Sequence, residues 1–336
     1  MAHSGIDHAD RGLVTVFGGS GFIGTYLVQK LARAGYRVRV AVRRPDLAGH
    51  VRPLGAVGQV QPIQANLRYP DSVRRAVEGA DIVVNLTGVL AEAGKQKFRA
   101  VHTMGAKTVA EASAAAGVST LVHMSALGAD KEAASAYARS KALGEEEVMK
   151  AFPKAVIVRP SIVFGPDDGF FNLFGTLARL SPVLPLIGGD TKFQPVYVGD
   201  VAEALFRAAT GQVKTGQIYE LGGPETETMK QLMQRLLKVI GRKRILLPIP
   251  FGLASLMGSV LGLLPWKLLT RDQVTQLQSD NVVSSEAVRQ KRDIDAFDIE
   301  PAAMDAILPT YLWRFRKHGQ FETRKTGSPA TLDQQG

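Results

Sequence analysis

Val14-Thr15-Val16-Phe17-Gly18-Gly19-Ser20-Gly21-Phe22-Ile23-Gly24-Thr25-Tyr26-Leu27-Val28 reads as a strand, a tight turn and a helix. An apolar run is followed by three glycines three apart, and then by apolar residues at a period of three to four. Gly18 can take the positive φ of a sharp turn, Gly21 lets a phosphate approach bare backbone, and Gly24 lets the helix pack closely on its strand. The unpaired N–H groups that open the helix then face an anion. With 34 glycines in 336 residues, a glycine triplet alone carries little. Flanked by a strand and an amphipathic helix, it predicts a dinucleotide cradle in which Ser20, Phe22 and Ile23 join the glycines.

The G-x-x-G-x-x-G spacing resembles the short-chain dehydrogenase/reductase superfamily, in its extended or atypical branches. Outward from it, residues 37–42 alternate as a second strand whose end reaches Arg43 and Arg44, where the sheet meets the adenosine ribose. An NAD-preferring site commonly holds the 2'-hydroxyl there with an acidic residue. Two guanidiniums suit a 2'-phosphate instead, and therefore NADP(H). Residues 57–63 read as a third strand. Asn66 and Leu67 follow where the superfamily usually has Gly-Asp-Leu, so Asn66 is a polar substitute at the adenine edge and Leu67 a cover for the ring. Residues 81–86 form a fourth strand, and Asn85-Leu86-Thr87-Gly88 resembles the Asn-x-Ala-Gly segment that lines the cofactor. A helix is expected over residues 97–116 from its alanine-rich middle. His102, on that helix, stands where many relatives have asparagine and reads as a hydrogen-bonded helix histidine.

Residues 120–124 are a fifth strand, leading into Ser125-Ala126-Leu127-Gly128. Catalytic relatives end this strand in a Ser-Ser or Ser-Thr pair, whose second hydroxyl polarises a substrate carbonyl. Ala126 takes the second position, and a methyl group cannot donate a hydrogen bond. Tyr137 and Lys141, at i and i+4, share a helix face, so the ammonium can favour the phenolate and also hold the nicotinamide ribose. The same spacing at Tyr26 and Lys30 falls on the first helix, away from any nicotinamide. Residues 155–158 are a sixth strand, ending in Arg159-Pro160-Ser161-Ile162-Val163-Phe164-Gly165-Pro166. This resembles the Arg-Pro-x-x-Val-Tyr-Gly-Pro segment of extended relatives and adds Pro160 and Val163 to the cofactor wall.

The expected fold is α/β: a Rossmann-type doubly wound parallel sheet over residues 13–166 and 193–224, with a smaller, mostly helical C-terminal lobe over 167–192 and 225–318. Residues 1–12 read as an N-terminal arm and 319–336 as a polar, mobile tail. Thr226 or Thr228 caps a helix running to Ile240, and a last helix is expected over 309–317. The chain has no cysteine, so disulfides and thiolate metal sites are excluded, and its six histidines show no ligand spacing, so no metal site is expected. The first eleven residues carry Asp7, Asp10 and Arg11 and no apolar run, unlike a secretory signal or an arginine-rich transit peptide. The formal charge of +10 favours anionic partners. Nucleic acid is not expected among them, because the basic residues are scattered without interleaved aromatics.

Residues 245–266 carry no charge. Prolines confine a continuous helix to residues 251–264, about 21 Å long at 1.5 Å per residue. A hydrocarbon core is roughly 30 Å thick, so this helix is too short to cross it. Two readings remain open: a helix buried in the second lobe, or an apolar face lying on a membrane or a partner subunit. Lys267, Arg271, Arg314, Arg316, Lys317 and His318 would suit an anionic surface beside it.

A narrower resemblance rests on His123-Met124-Ser125-Ala126-Leu127-Gly128-Ala129, Arg139-Ser140-Lys141, Tyr219-Glu220-Leu221-Gly222-Gly223-Pro224, Leu269-Thr270-Arg271-Asp272-Gln273-Val274 and Ser279-Asp280-Asn281-Val282. These are similar to the short-chain-dehydrogenase-like accessory subunit of respiratory complex I, NADH:ubiquinone oxidoreductase. The resemblance implies a tightly held, structural NADPH and other complex I subunits as partners. It also implies a peripheral position on the cytoplasmic face of a bacterial inner membrane, or on the matrix face if the source is mitochondrial, with contact to lipid. Ala126 and the uncharged stretch favour this scaffold. Tyr137, Lys141 and Arg159-Pro160 favour the alternative, an active NADPH-dependent oxidoreductase, dehydratase or epimerase.

Overall fold

The computed structural model describes residues 11–262 and 269–317. The first half alternates strands and helices: β1 (Leu13–Phe17), α1 (Phe22–Arg33), β2 (Arg37–Val42), β3 (Val60–Gln64), α2 (Pro70–Val77), β4 (Ile82–Asn85), α3 (Met104–Ala115), β5 (Thr120–Met124), α4 (Ala136–Ala151) and β6 (Val156–Pro160). The second half holds β7 (Val163–Phe164), α5 (Phe171–Leu180), β8 (Val183–Ile187), β9 (Lys192–Phe193), β10 (Val196–Tyr197), α6 (Val198–Ala209), β11 (Gln217–Leu221), β12 (Glu227–Thr228), α7 (Met229–Val239), β13 (Ile245–Ile249), α8 (Phe251–Leu261), α9 (Arg271–Gln276), α10 (Ser285–Arg289) and α11 (Met304–Leu312).

Seven strands form one parallel sheet in the order β11-β6-β5-β4-β1-β2-β3. Its strands are apolar on both faces because helices cover both. Val14, Val16, Val38, Val40, Val84 and Val122 pack beneath α1 and α6, with Leu27, Leu31, Val201 and Leu205. Phe17, Val83 and Leu121 pack on the other face, against Val73 of α2 and Val109 of α3. The strand order reverses between β1 and β4, which leaves a crevice beyond their carboxyl ends, the usual ligand position in this architecture. A separate core joins Phe171, Leu184, Leu186, Leu232, Leu236, Leu308 and Leu312 in the C-terminal region. Ile294 and Phe297 instead enter the core beneath the sheet, where Phe297 packs edge-on against Tyr219.

Several boundaries differ from expectation. The third strand starts at Val60 because Gly58 turns with φ +80° and the Gln59 side chain donates to the carbonyls of Ala32 and Tyr36. The long helix over 97–116 is interrupted by a π turn at Arg99–Thr103, where the ring of His102 is engaged on two sides. The last helix begins at Met304, and Pro309 lies inside it. Burial of Met304, Leu308, Tyr311 and Leu312 on one side outweighs the helix-breaking tendency of that proline.

The uncharged stretch is a strand followed by a helix. β13 pairs in parallel with β8, and α8 runs from Phe251 to Leu261. Leu264, Pro265, Trp266, Lys267 and His318 lie outside the described residues, as do residues 1–10 of the expected arm and the 319–336 tail. No helix among the described residues is long and apolar enough to cross a membrane.

Candidate cofactor site

At the end of β1 the chain turns with Gly18 at φ +77°, and the Gly21 N–H donates to the Gly18 carbonyl at 3.0 Å. A Cβ at Gly24 would stand 2.4 Å from the Gly18 oxygen, so only glycine lets α1 rest on this turn. Gly21 is exposed, while Ser20, Phe22 and Ile23 are half-buried. Phe22 meets Tyr26 edge-on, and a Cβ at Gly165 would lie 3.3 Å from its ring. The glycine turn therefore sits against the segment after β7. His50, which carries no local signal in the sequence, reaches the Ser20 carbonyl at 3.2 Å; an oxygen there can only accept, so Nε2 carries the proton.

Arg43 and Arg44 follow β2, are exposed, and have no ion-pair partner among the described residues. Asn66 is half-buried beyond β3, and its Oδ1 accepts from the Arg68 N–H at 3.1 Å. Leu67 is buried against α3, where a Cβ at Gly105 would stand 2.9 Å from its Cδ1. The Leu86 N–H donates to Phe17, and the Thr87 N–H to Asn85 Oδ1, which fixes the start of the loop after β4. Pro160 closes β6 and accepts from the Leu127 N–H, and half-buried Val163 pairs with Val196.

Tyr137 and Lys141 share the inner face of α4. Lys141 is buried, donates from Nζ to the Met124 carbonyl at 3.2 Å, and stands 5.9 Å from the Tyr137 ring centre. A Cβ at Gly88 would lie 3.4 Å from the same Nζ, so the lysine brings the loops after β4 and β5 together. Burial pulls Lys141 down to about 8 against the raising influence of Glu145. Tyr137 corrects the expectation of a favoured phenolate: burial, and then the Asp272 charge, push it up to about 12. The phenol stays protonated at neutral pH and can act as a donor.

His102 is the hydrogen-bonded helix histidine expected from the sequence. Its Nε2 accepts from the Val89 N–H at 3.0 Å, so Nδ1 carries the proton and donates to Ser140 Oγ at 2.9 Å. Its ring stacks on Phe98 and meets Tyr137 edge-on. Burial and the nearby Lys141 pull both His102 and His123 down to about 3, so both are neutral. Ser125 Oγ and His123 Nε2 are buried without a hydrogen-bond partner among the described residues, on the same side of the chain at i and i+2. Such groups are costly unless something else meets them, which fits a polar ligand at the end of β5.

The C-terminal region braces this end of the site. Asp272 of α9 accepts from Ser135 Oγ (2.9 Å), the Ala136 N–H (2.7 Å) and the Tyr137 N–H (3.2 Å), and so caps α4. Asn281 accepts from Ser161 Oγ at 2.7 Å and hydrogen-bonds through its backbone to Lys192 and Gln194. Arg159 is a tether: it forms a two-pronged ion pair with Glu145 of α4, at 2.8 and 2.6 Å, and approaches Glu220.

Known proteins resemble this chain in sequence and fold. The profile of the NAD dependent epimerase/dehydratase family matches residues 14–222. The chain belongs to that family. Within it, the chain is 33% identical to the mitochondrial NADH dehydrogenase (ubiquinone) 1 alpha subcomplex subunit 9 of Arabidopsis thaliana, over 95% of this chain and 84% of the relative. It is also 34% identical to the ceramide reductase of Caulobacter vibrioides, over 71% of this chain and 74% of the relative. Among solved structures, the NADPH-dependent quinone oxidoreductase QOR2 of Escherichia coli, complexed with NADPH, superimposes with a TM-score of 0.68 at 18% identity, over 89% of this chain and 98% of that one. The last likeness is one of fold. The epimerase/dehydratase family is NAD dependent, and the glycine turn and the buried polar groups at the end of β5 fit a nicotinamide cofactor.

Proposed function

We propose that this chain is an NADPH-binding accessory subunit of respiratory complex I, with a structural or assembly role on the peripheral arm near the membrane. The observation that carries the reading is the 33% identity to a complex I subunit over 95% of the chain, spanning both the cofactor half and the second lobe. Gly18, Ser20, Gly21, Phe22, Ile23 and Gly24 receive the pyrophosphate. Arg43 and Arg44 meet the 2'-phosphate, and Asn66 and Leu67 flank the adenine. Leu86, Thr87, Gly88, Ser125, Pro160 and Val163 line the nicotinamide half, with Tyr137 and Lys141 at the ribose. Other complex I subunits are the partners.

Lipid contact is part of the same reading. Leu253, Leu256 and Val260 recur on one side of α8 and are 52%, 65% and 61% exposed. Ile245 and Leu247 of β13 and Leu180 of α5 are exposed as well, with Arg179 and Lys243 as exposed cations beside them in the chain. Apolar side chains flanked by cations suit the surface of an anionic bilayer. In a bacterium this would be the cytoplasmic face of the inner membrane, and in a mitochondrion the matrix face.

Affinity purification from solubilised membranes should recover complex I subunits together with NADP(H). Substituting Arg43→Ala with Arg44→Ala should weaken NADPH by roughly a hundredfold or more, because charge-assisted hydrogen bonds contribute about 1.5–3 kcal/mol each. Affinity for NADH should stay level. Recovery as a soluble protein bearing NAD(H) alone would overturn the reading.

A second reading has its own support. Tyr137 is protonated beside a buried Lys141, Ser125 Oγ is unpartnered, and one relative is a ceramide reductase. An NADPH-dependent reductase would use the Tyr137 hydroxyl as acid and Ser125 in place of the hydroxyl that Ala126 lacks, while the bound cofactor supplies hydride. NADPH-dependent turnover by the purified chain would favour it.

A further inference from the structure

The only carboxylate that caps α4 comes, among the described residues, from the other lobe. Asp272 holds three donors at the start of the helix that carries Tyr137 and Lys141, and Gln276 Nε2 steadies it at 3.1 Å. Its own short helix is fixed by a reciprocal cap, in which Thr270 Oγ1 accepts from the Gln273 N–H and the Gln273 side chain accepts from the Thr270 N–H. α9 in turn lies directly under α8. A Cβ at Gly258 would stand 2.9 Å from the backbone of Thr270 and Arg271, so the two helices meet backbone to backbone. The opposite side of α8 carries exposed Leu253, Leu256 and Val260. One unbroken series of contacts thus joins the exposed apolar face, α8, α9, Asp272, and the helix that holds Tyr137 and Lys141.

We propose that Asp272 is a positioning residue that couples the two lobes, so that NADPH binding and docking of the α8 face on an anionic bilayer strengthen each other. This rests on the functional reading above, in which NADPH lies on α4 and lipid on α8. Each ligand favours the arrangement in which Asp272 sits on the start of α4. NADPH needs Tyr137 and Lys141 held at that place. The bilayer needs α8 held on α9 with its apolar side outward. Two ligands that prefer the same arrangement raise each other's affinity by one common factor. Asp272 is suited to the task because a carboxylate at a helix start joins charge to hydrogen bonds, and its removal leaves the Ala136 and Tyr137 N–H groups without their acceptor.

The test uses the full chain and two measurements. NADPH titrations followed by nicotinamide fluorescence are made with and without phosphatidylglycerol vesicles, and vesicle sedimentation is measured with and without NADPH. For the wild type, each ligand should tighten the other about fivefold or more, by equal factors. Asp272→Ala should reduce both factors below twofold while each ligand still binds alone. Asp272→Asn, which keeps the shape and one acceptor oxygen, should fall between the two and serves if the alanine variant does not fold. Wild-type binding of both ligands with no mutual effect, or an Asp272→Ala variant with the full factor, would overturn the coupling while leaving the functional reading intact. Failure of the wild type to bind NADPH or the vesicles would overturn that reading and the coupling together.

Discussion

Helices α1 and α8 have nearly the same length, 12 and 11 residues, yet they dispose of their apolar side chains in opposite ways. α1 buries Leu27, Val28 and Leu31 under the sheet, turns Arg33 outward and pairs half-buried Lys30 with Glu203 of α6, so its sequence declares which side is apolar and which is not. α8 buries only Ala254 and Gly258 and has no charged residue on any side. A helix that is apolar all round fits a place where it is covered all round. Among the described residues, one side of it, with Leu253, Leu256 and Val260, is left exposed. On the proposed reading, the contrast separates a helix whose partner is its own sheet from one whose partner is the bilayer.

The largest effect should come from breaking the first helix. Gly24→Leu would drive a side chain into the Gly18 carbonyl and the Gly19 backbone, 2.4 and 2.6 Å from its Cβ, which only movement of α1 can relieve. Overpacking of this kind costs about 1–3 kcal/mol or more. A lower melting temperature and loss of co-purified NADPH are expected. A variant of wild-type stability that keeps its cofactor would remove α1 as the reference for this comparison.

Next in size is the change that strips α8 of its outward side. Leu253→Ser, Leu256→Ser and Val260→Ser together should lower attachment to membranes more than tenfold, since a fully buried side chain of this kind contributes about 1.5–3 kcal/mol. Stability should barely move, because exposed substitutions usually stay within about 0.5 kcal/mol each. A large fall in melting temperature with unchanged attachment would show that α8 serves its own core after all. High salt should release the wild type as well, because electrostatic attraction to the surface is screened.

A smaller effect belongs to pH. Lys141, held at about 8 by burial, is an ammonium below that value and a neutral amine above it. NADPH affinity should therefore be level below pH 7 and weaken severalfold as pH rises through 8 to 9. Lys141→Arg, whose charge persists, should flatten the curve. For folding, the unfolded lysine takes its proton near 10.4 and the folded one only near 8, so this residue lowers stability as pH falls through that window. Lys141→Met should lose affinity while gaining stability at neutral pH. An unchanged pH curve for Lys141→Arg would take Lys141 out of cofactor binding.

How much of this was legible in the sequence follows from the range of the interactions. β1, α1, β2 and β5 lie where hydrophobic period and glycine spacing put them, because both signals are local. Thr228 is the observed cap of α7, again a local pattern. The π turn was invisible because it depends on His102 reaching Val89 and Ser140, 13 and 38 residues away. Asp272 lies 136 residues from the Ala136 N–H it caps, and nothing at either position announces the other. The resemblance did single out the segment from Leu269 to Val282, and the structure gives that segment a physical meaning: it holds the cap of α4 and the Asn281 bridge to Ser161. β13 was missed because a five-residue apolar run beside an apolar helix has no period to distinguish the two.

The smallest expected effect is the one that separates the two functional readings. Tyr137→Phe removes a single hydroxyl, held protonated by a shift to about 12, and leaves a ring that still meets Phe98 and His102 at 5.7 and 5.3 Å. If the chain is a scaffold, NADPH stays bound, attachment is unchanged, and stability moves by less than about 1 kcal/mol, the usual net contribution of one hydrogen bond. Because the ring contacts and the Lys141 bond to Met124 survive, the bound cofactor continues to stabilise the native state by mass action. If the chain is a reductase, the same substitution removes the acid that protonates the nascent alkoxide, and turnover falls by about a hundredfold to ten-thousandfold. Ala126 already withholds one hydroxyl from that chemistry, and Ser125 would have to serve in its place. Steady-state NADPH oxidation therefore decides the matter when measured on wild type and Tyr137→Phe with equal cofactor occupancy. A wild-type rate that the variant loses identifies an enzyme, whereas matching traces with normal attachment leave Tyr137 as a wall of the NADPH site.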